Sequence, residues 1–159
     1  MGIEIERKFI VVNDNWKAHV LSSKKMSQGY LSNQNNNSVR VRIANDKAHL
    51  NIKSGGLSIK RLEYEYEIPL QDAEELLTNL TDGGVVEKTR YKVKCGDHTW
   101  DLDIFEGVNE GLQMAEIELD AEDEQFQMPD WAGKEVSDDA RYYNVNLISN
   151  PYRNWKDEA

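Results

Sequence analysis

The chain of 159 residues carries 19 lysines and arginines against 29 aspartates and glutamates, which gives a formal net charge of −10 at pH 7. This acidic balance argues against a general nucleic-acid coat and a binder of anionic membranes, because both need a positive field, but it does not exclude a local basic site. Hydrophobic residues make up 39% of the chain, so we expect a folded protein with a single domain over residues 1–159.

Alternation of polar and apolar residues along most of the chain predicts a sheet of about eight strands. Turn signals such as Asn45-Asp46 and Gly96-Asp97 separate neighbouring strands. The predicted strands are, in chain order, 3–11, 26–31, 38–43, 49–53, 61–68, 88–93, 100–105 and 114–119. Eight strands can close into a barrel, which leaves no exposed edge.

Three stretches are predicted to be helices, at 14–21, 70–80 and 137–148. The second follows Pro69 and carries leucines at helical spacing, and we expect Asp72 to be its N-cap. The third begins with a serine and two aspartates, which suit the positive end of a helix dipole.

The polar faces of the predicted strands are nearly all charged, and the charges cluster by sign along each strand. Lys88, Arg90 and Lys92 share one face, for example, whereas Glu116 and Glu118 share another. A sheet with its charged face in solvent is the commoner arrangement, but solvated faces tend to mix their signs. The clustering favours a barrel with charges inward and its apolar side beneath helices. Such a lumen suits a polyphosphate bound with a divalent cation, because arginine and lysine contact phosphoryl oxygens and carboxylates hold the metal.

Cysteine content and hydrophobic runs bear on the compartment. Cys95 is the only cysteine, which excludes an internal disulfide framework and a thiolate zinc site. No apolar run approaches the roughly 20 residues that span a bilayer, and the N terminus lacks the features of a signal peptide. We therefore predict a cytoplasmic protein with no membrane partner.

The N-terminal segment Glu4-Ile5-Glu6-Arg7-Lys8 is an ExExK motif, which resembles the signature of the CYTH superfamily, the triphosphate tunnel metalloenzymes. Further similar segments follow in family order: Gln28-Gly29-Tyr30-Leu31, Arg40-Val41-Arg42, Lys53-Ser54, Arg61 to Glu65, Glu87 to Tyr91, Asp101-Leu102-Asp103, Glu116-Ile117-Glu118 and Arg141-Tyr142. The resemblance implies an α+β fold, an eight-stranded antiparallel closed β-barrel that forms a triphosphate tunnel. Helices would pack on its outside, with a C-terminal helix at one tunnel end.

The resemblance also implies roles for individual residues. The phosphate-binding residues would be Lys8, Arg40, Arg42, Lys53, Arg61, Lys88, Arg90 and Arg141. The ligands of Mg²⁺ or Mn²⁺ would be Glu4, Glu6, Asp103, Glu116 and Glu118. Lys88 and Glu63 would be catalytic, with Lys88 helping to place the attacking water. Ala140 departs from the pattern, because some relatives carry a second basic residue before the position of Arg141.

The predicted activity is metal-dependent hydrolysis of a small triphosphate, chiefly inorganic tripolyphosphate, to pyrophosphate and phosphate. The absence of a recognisable base pocket favours this minimal substrate. The alternatives are a class IV adenylate cyclase, a nucleoside or thiamine triphosphatase, and a non-catalytic sensor of polyphosphate or nucleotides. The acidic pairs Glu4/Glu6 and Glu116/Glu118 count against a sensor, because binding phosphate needs only cations. Tyr30 is either a core or a lumen residue, and the three histidines are expected at the surface or within strands. No oligomeric state is predicted.

Overall fold

The computed structural model describes residues 2–34 and 36–155. Nine strands occur in this part of the chain: β1 (Ile3–Val11), β2 (Val20–Gln34), β3 (Asn37–Ala44), β4 (Lys47–Ser54), β5 (Lys60–Ile68), β6 (Val85–Cys95), β7 (His98–Phe105), β8 (Gln113–Glu118) and β9 (Ala132–Glu135). The helix α1 spans Leu70–Asn79. Short 3₁₀ turns lie at Asn15–His19, Gly107–Asn109, Ala140–Tyr142, Asn144–Leu147 and Tyr152–Asn154.

Eight of the strands form a closed antiparallel barrel. The sheet order is β5-β4-β3-β2-β6-β7-β8-β1, and β1 pairs again with β5 to close the ring. Glu4 lies opposite Arg61 across this closing seam, while Lys8 lies opposite Glu116 on the other side of β1. The ninth strand, β9, adds to β1 at Phe9 and Val11. The predicted barrel and its eight strands are therefore confirmed, with β9 as an addition.

Apolar clusters cover much of the barrel and fill one part of its interior. One cluster packs Trp16 and Trp131 over Trp100 and its neighbours on β1, β7 and β8. A second places α1 over β3 and β4. In the third cluster, Val86, Phe105 and Met114 lie on the same strand faces as the lumen charges. Leu112 and the C-terminal residues Leu147 and Trp155 pack against them. The lumen face thus changes from charged to apolar towards this cluster.

The predicted helices need three corrections. The segment predicted as a helix over 14–21 forms only the 3₁₀ turn Asn15–His19, and β2 begins at Val20. The segment 137–148 forms the 3₁₀ turns Ala140–Tyr142 and Asn144–Leu147, because asparagine and β-branched residues disfavour a continuous helix. Helix α1 is confirmed, but its N-cap is Pro69 without a side-chain cap, so the Asp72 cap was wrong.

The sequence pattern indicated that helices cover the apolar outer side of the barrel. In the structure they cover only part of it. In the described residues α1 covers β3 and β4, and loops cover much of the rest. On β5, by contrast, Leu62, Tyr64 and Tyr66 are 50%, 46% and 57% exposed. The outer face of β5 therefore meets solvent.

Candidate functional site

The barrel encloses a cavity of about 390 Å³ that is lined by charged side chains from all eight barrel strands. Alternation along a strand puts every second residue on the inner face, so one parity of each strand supplies the lining. The lining residues are Glu4, Glu6, Lys8, Lys24, Met26, Tyr30, Ser38, Arg40, Arg42, Ala44, His49, Lys53, Arg61, Glu63, Glu65, Lys88, Arg90, Lys92, Asp101, Glu116, Glu118, Tyr143, Asn144 and Val145.

Most of the residues predicted for the site meet in this cavity. Two of them are not among its lining residues in the described part of the chain. Asp103 is 2% exposed and lies behind the lining, where Arg90 and Lys88 bind its carboxylate. Arg141 is half-buried and binds Asp139, with its Nη2 2.9 Å from Asp139 Oδ2 and its guanidinium over the ring of Trp155.

Two groups of ion pairs hold the carboxylates of the cavity. Lys8 Nζ lies 2.8 Å from Glu6 Oε1 and also contacts Glu116. Arg90 Nη2 lies 2.9 Å from Glu116 Oε1. On the other side of β1, Lys53 Nζ lies 3.2 Å from Glu4 Oε1. These carboxylates thus each have a lysine or arginine partner with which a bound metal ion would compete.

Most cations of the cavity pair with a carboxylate, but in the described residues no carboxylate pairs with Arg40 or Arg42, nor with Lys24. Arg40 is 7% exposed, and its buried Nε has no hydrogen-bond partner in that part of the chain. Burial together with the positive charges of Arg40 and Arg90 lowers the pKa of Arg42. A bound anion would offset the repulsion between the arginines and accept a hydrogen bond from Nε of Arg40.

Lys88 is the most deeply buried cation of the cavity, at 1% exposed. Its Nζ lies 2.7 Å from Asp103 Oδ2 and donates to Asn144 Oδ1 at 2.8 Å. Burial, together with the positive charges of Arg90 and Arg42, lowers the pKa of Lys88 to about 7. The negative charge of Asp103 opposes this shift only in part.

Two carboxylates of the cavity, Glu6 on β1 and Glu118 on β8, have a raised pKa. Burial is the largest cause for Glu6, and the charges of Glu116 and Glu4 add to it. Burial likewise raises the pKa of Glu118, with added repulsion from Glu4, Glu6 and Glu63. As placed, no three acidic, histidine or cysteine side chains of the described residues form a metal-binding group, because lysines stand between them. The donors nevertheless fit a hard divalent cation, which would relieve this repulsion.

Several lining residues were not predicted as site residues. Lys24, His49 and Asn144 line the cavity, as does Tyr143, whose ring lies 4.7 Å from Lys8 Nζ. His49 shares the inner parity of Lys53 on β4, so alternation was a signal that could have found it. Tyr143 and Asn144 gave no such signal, because they belong to a segment without strand periodicity. Tyr30, left open between core and lumen, is buried and lines the cavity.

A family model for the CYTH domain matches residues 2–149. The chain belongs to the CYTH family. An inorganic triphosphatase from Acetivibrio thermocellus is 49% identical over 157 residues, 99% of this chain and 100% of that protein. Another from Nitrosomonas europaea is 38% identical over 149 residues, 91% of this chain and 95% of that protein.

Solved CYTH-like structures agree with the barrel. A crystal structure of an inorganic triphosphatase is 35% identical and superimposes with a TM-score of 0.66, covering 91% of this chain and 93% of the other. A putative adenylyl cyclase from Hippeastrum superimposes with a TM-score of 0.56 at 16% identity, covering 76% of this chain and 80% of the other. At that identity the second comparison shows a shared fold. Triphosphatases of the CYTH family are in general metal-dependent. Within the described residues, no helix is both long and apolar enough to cross a membrane.

Proposed function

We propose that this CYTH protein hydrolyses inorganic tripolyphosphate to pyrophosphate and phosphate in its barrel, with Mg²⁺ or Mn²⁺. The observation that carries the proposal is the pair Arg40 and Arg42, whose charges face the cavity with no carboxylate partner in the described residues. The names of two relatives that match nearly the whole chain support the same substrate. An inorganic triphosphate fills a small charged cavity without needing a pocket for a base.

The cations of the cavity would bind the phosphate oxygens. Arg40 and Arg42 are free of carboxylates in the described part, so they can bind first, whereas Lys8, Lys53 and Arg90 must leave an ion pair. A triphosphate can compete for such groups, because it offers several charged oxygens, and each accepts hydrogen bonds as strong as those to a carboxylate. Arg61 also lines the cavity, and Arg141 would need to leave Asp139 to join it.

The carboxylates released by this exchange, together with Glu118, would hold the metal. We assign Glu4, Glu6, Glu116 and Glu118 to it, with Asp103 behind them. A divalent cation bound there supplies charge neutralisation for the phosphates and a lower pKa for bound water. Ligand binding thus exchanges protein ion pairs for phosphate-cation and metal-carboxylate contacts, which keeps the charge of the lumen balanced.

Lys88 and Glu63 are the residues that we propose to act on the reacting groups. Lys88 would hold the attacking water or an oxygen of the terminal phosphoryl group, and it stabilises negative charge there. Glu63, whose Oε2 lies 3.4 Å from Lys53 Nζ, would accept a hydrogen bond from the water. Water adds at the terminal phosphorus while the bond to the bridging oxygen breaks, so pyrophosphate leaves. A single domain over 1–159 and a cytoplasmic location remain our predictions.

A substrate panel tests this proposal. The protein with Mg²⁺ or Mn²⁺ should release phosphate and pyrophosphate from tripolyphosphate with a higher kcat/KM than from ATP or thiamine triphosphate. Arg40→Gln should lower kcat/KM for tripolyphosphate by roughly tenfold to a hundredfold, since it removes a bond between charged groups worth about 1.5–3 kcal/mol. Lys47→Gln removes an exposed lysine outside the cavity and should have no effect. Cyclic AMP as the main product from ATP, or full activity of Arg40→Gln, would contradict the proposal.

A further inference from the structure

A chain of hydrogen bonds joins Arg42 to Lys88 through Gln28 and Asn144 of the C-terminal segment. Arg42 Nε donates to Gln28 Oε1 at 2.8 Å, and Gln28 Nε2 donates to Asn144 Oδ1 at 3.0 Å. Lys88 Nζ donates to the same oxygen of Asn144 at 2.8 Å. Gln28 is 0% exposed, so its amide satisfies its hydrogen bonds with protein groups and not with bulk water.

The direction of each bond in this chain follows from Arg42. A guanidinium only donates, so Gln28 must turn its oxygen towards Arg42 and its NH₂ group towards the C-terminal segment. Asn144 must then present its oxygen and not its NH₂ group. Lys88 therefore meets an acceptor at Asn144, and a reversed amide would place donors against donors.

The nitrogen of Lys88 is held from two sides. Asp103 Oδ2 lies 2.7 Å away and Asn144 Oδ1 2.8 Å away. A tetrahedral amine nitrogen has three positions beyond its carbon, and these two acceptors occupy two of them. The third position remains for a group in the cavity, which Lys88 lines.

We propose that Asn144 is a positioning residue for Lys88 and that Gln28 fixes the orientation of the Asn144 amide. This inference rests on the proposed function, because it concerns the lysine assigned to the reacting phosphoryl group. Asp103 forms an ion pair with Lys88, whereas Asn144 orients the Lys88 ammonium group through a hydrogen bond without adding a charge. The C-terminal segment is anchored for this task by Leu147, which is 1% exposed in the apolar cluster with Phe105 and Met114.

Steady-state kinetics with tripolyphosphate test the proposal first. Asn144→Ala should lower kcat by roughly tenfold to a hundredfold, the equivalent of one hydrogen bond to a charged group, and change KM by less than about threefold. Asn146→Ala is the matched control, because Asn146 lies in the same 3₁₀ turn and, in the described contacts, its side chain donates to the backbone oxygen of Ala140 and not to a group of the cavity. It should keep wild-type kinetics. A fall of tenfold or more in the calorimetric affinity of Asn144→Ala for tripolyphosphate would make Asn144 a substrate contact and overturn the proposal.

A double-mutant cycle separates positioning from a general effect on the fold. If Asn144 acts through Lys88, Asn144→Ala should cost less than about twofold in kcat when Lys88 is already Met. An equal loss in both backgrounds would overturn the inference.

A third measurement does not depend on activity. With ¹⁵N-labelled lysine at pH 6, the Nζ signal of Lys88, identified by its disappearance in Lys88→Met, should shift in Asn144→Ala and stay in place in Asn146→Ala. An unmoved signal in Asn144→Ala overturns the positioning role. The NMR shift also tests the positioning role if Lys88→Met releases no phosphate, in which case the double-mutant cycle cannot be measured. Failure of the wild type to hydrolyse tripolyphosphate would instead count against the proposed function.

Discussion

Glu118 differs from the other acidic residues of β1 and β8, because the described part of the chain shows no ion pair for it. It lines the cavity, and repulsion from Glu4, Glu6 and Glu63 adds to the effect of burial on its pKa. Removing its charge therefore disturbs no salt bridge of the barrel, in contrast to Glu116, which binds Lys8. Glu118 is thus the cleanest position at which to test the metal assignment.

Glu118→Gln should raise the Mg²⁺ concentration for half-maximal phosphate release by about tenfold, because affinity for a hard cation follows the number of charged ligands. The unfolding temperature without metal should not fall, since the substitution relieves repulsion. Glu122→Gln, at an exposed position outside the cavity, is the control. A Mg²⁺ dependence identical to that of the wild type would remove Glu118 from the metal site.

At the scale of single residues, the sequence predicted the lumen through parity. Lys88, Arg90 and Lys92 alternate with residues of the outer face, and the structure places all three at the cavity. Contacts that join residues without periodicity could not be predicted. The bond from Lys88 to Asn144 depends on the path of a C-terminal segment whose sequence has no strand pattern.

Among the elements, β9 shows how a short strand escapes prediction. Its four residues contain a glycine and no clear alternation, and it forms because β1 offers an open side beyond its pairing with β5. A side-chain pair helps to hold it there: Arg7 Nη2 lies 2.6 Å from Glu135 Oε1, and Ser137 Oγ donates to Glu135 at 2.7 Å. The hydrogen bond from Arg7 lowers the pKa of Glu135.

The pair predicts a pH-dependent contribution to stability. A carboxylate whose pKa is lowered on folding stabilises the protein above its unfolded pKa of about 4.3, and the contribution is lost as the pH falls through the folded-state value. Glu135→Gln should thus lower the free energy of unfolding by about 1 kcal/mol at pH 7, since both side chains are near 30% exposed and partly screened. Urea unfolding measures this loss, which should vanish in acid. Glu110→Gln, which removes an exposed carboxylate, should leave the free energy of unfolding unchanged at pH 7 and in acid. If Glu135→Gln lowers that free energy equally at all pH values, the ion pair is not the cause.

The segment 137–148 shows why a helix was predicted where only short turns form. Tyr143 and Leu147 are buried four residues apart, a spacing that is also typical of the apolar face of a helix. The backbone of Tyr143 is extended instead, at φ −81° and ψ 131°, and Asp139 accepts a hydrogen bond from the backbone of Arg141 to form a separate short turn. Tertiary contacts with the barrel end decide this conformation, and these contacts lie outside any local pattern.

For the whole molecule, the net charge of −10 gives a poor account of what the lumen attracts. The cavity holds Arg40 and Arg42 without carboxylate partners in the described residues, although acidic residues outnumber basic ones over the chain. Barrel closure could be predicted from eight alternating strands, because a closed sheet leaves no edge. The uncovered outer face of β5 could not, since its alternation matches that of covered strands.

Binding in the lumen should stabilise the entire barrel, because the cavity is built from all eight strands that close it. With Mg²⁺, the imido analogue of tripolyphosphate, which resists hydrolysis, should raise the unfolding midpoint by roughly 5–10 °C at a hundred times its Kd. That range follows from about 2.7 kcal/mol of binding linkage and about 2–4 °C per kcal/mol for a domain of this size. Differential scanning calorimetry measures the shift. Orthophosphate at the same concentration should give a much smaller rise, and Arg40→Gln should reduce the rise with the analogue. Equal rises with both anions would show that the molecule responds to charge alone and that the barrel does not select a triphosphate.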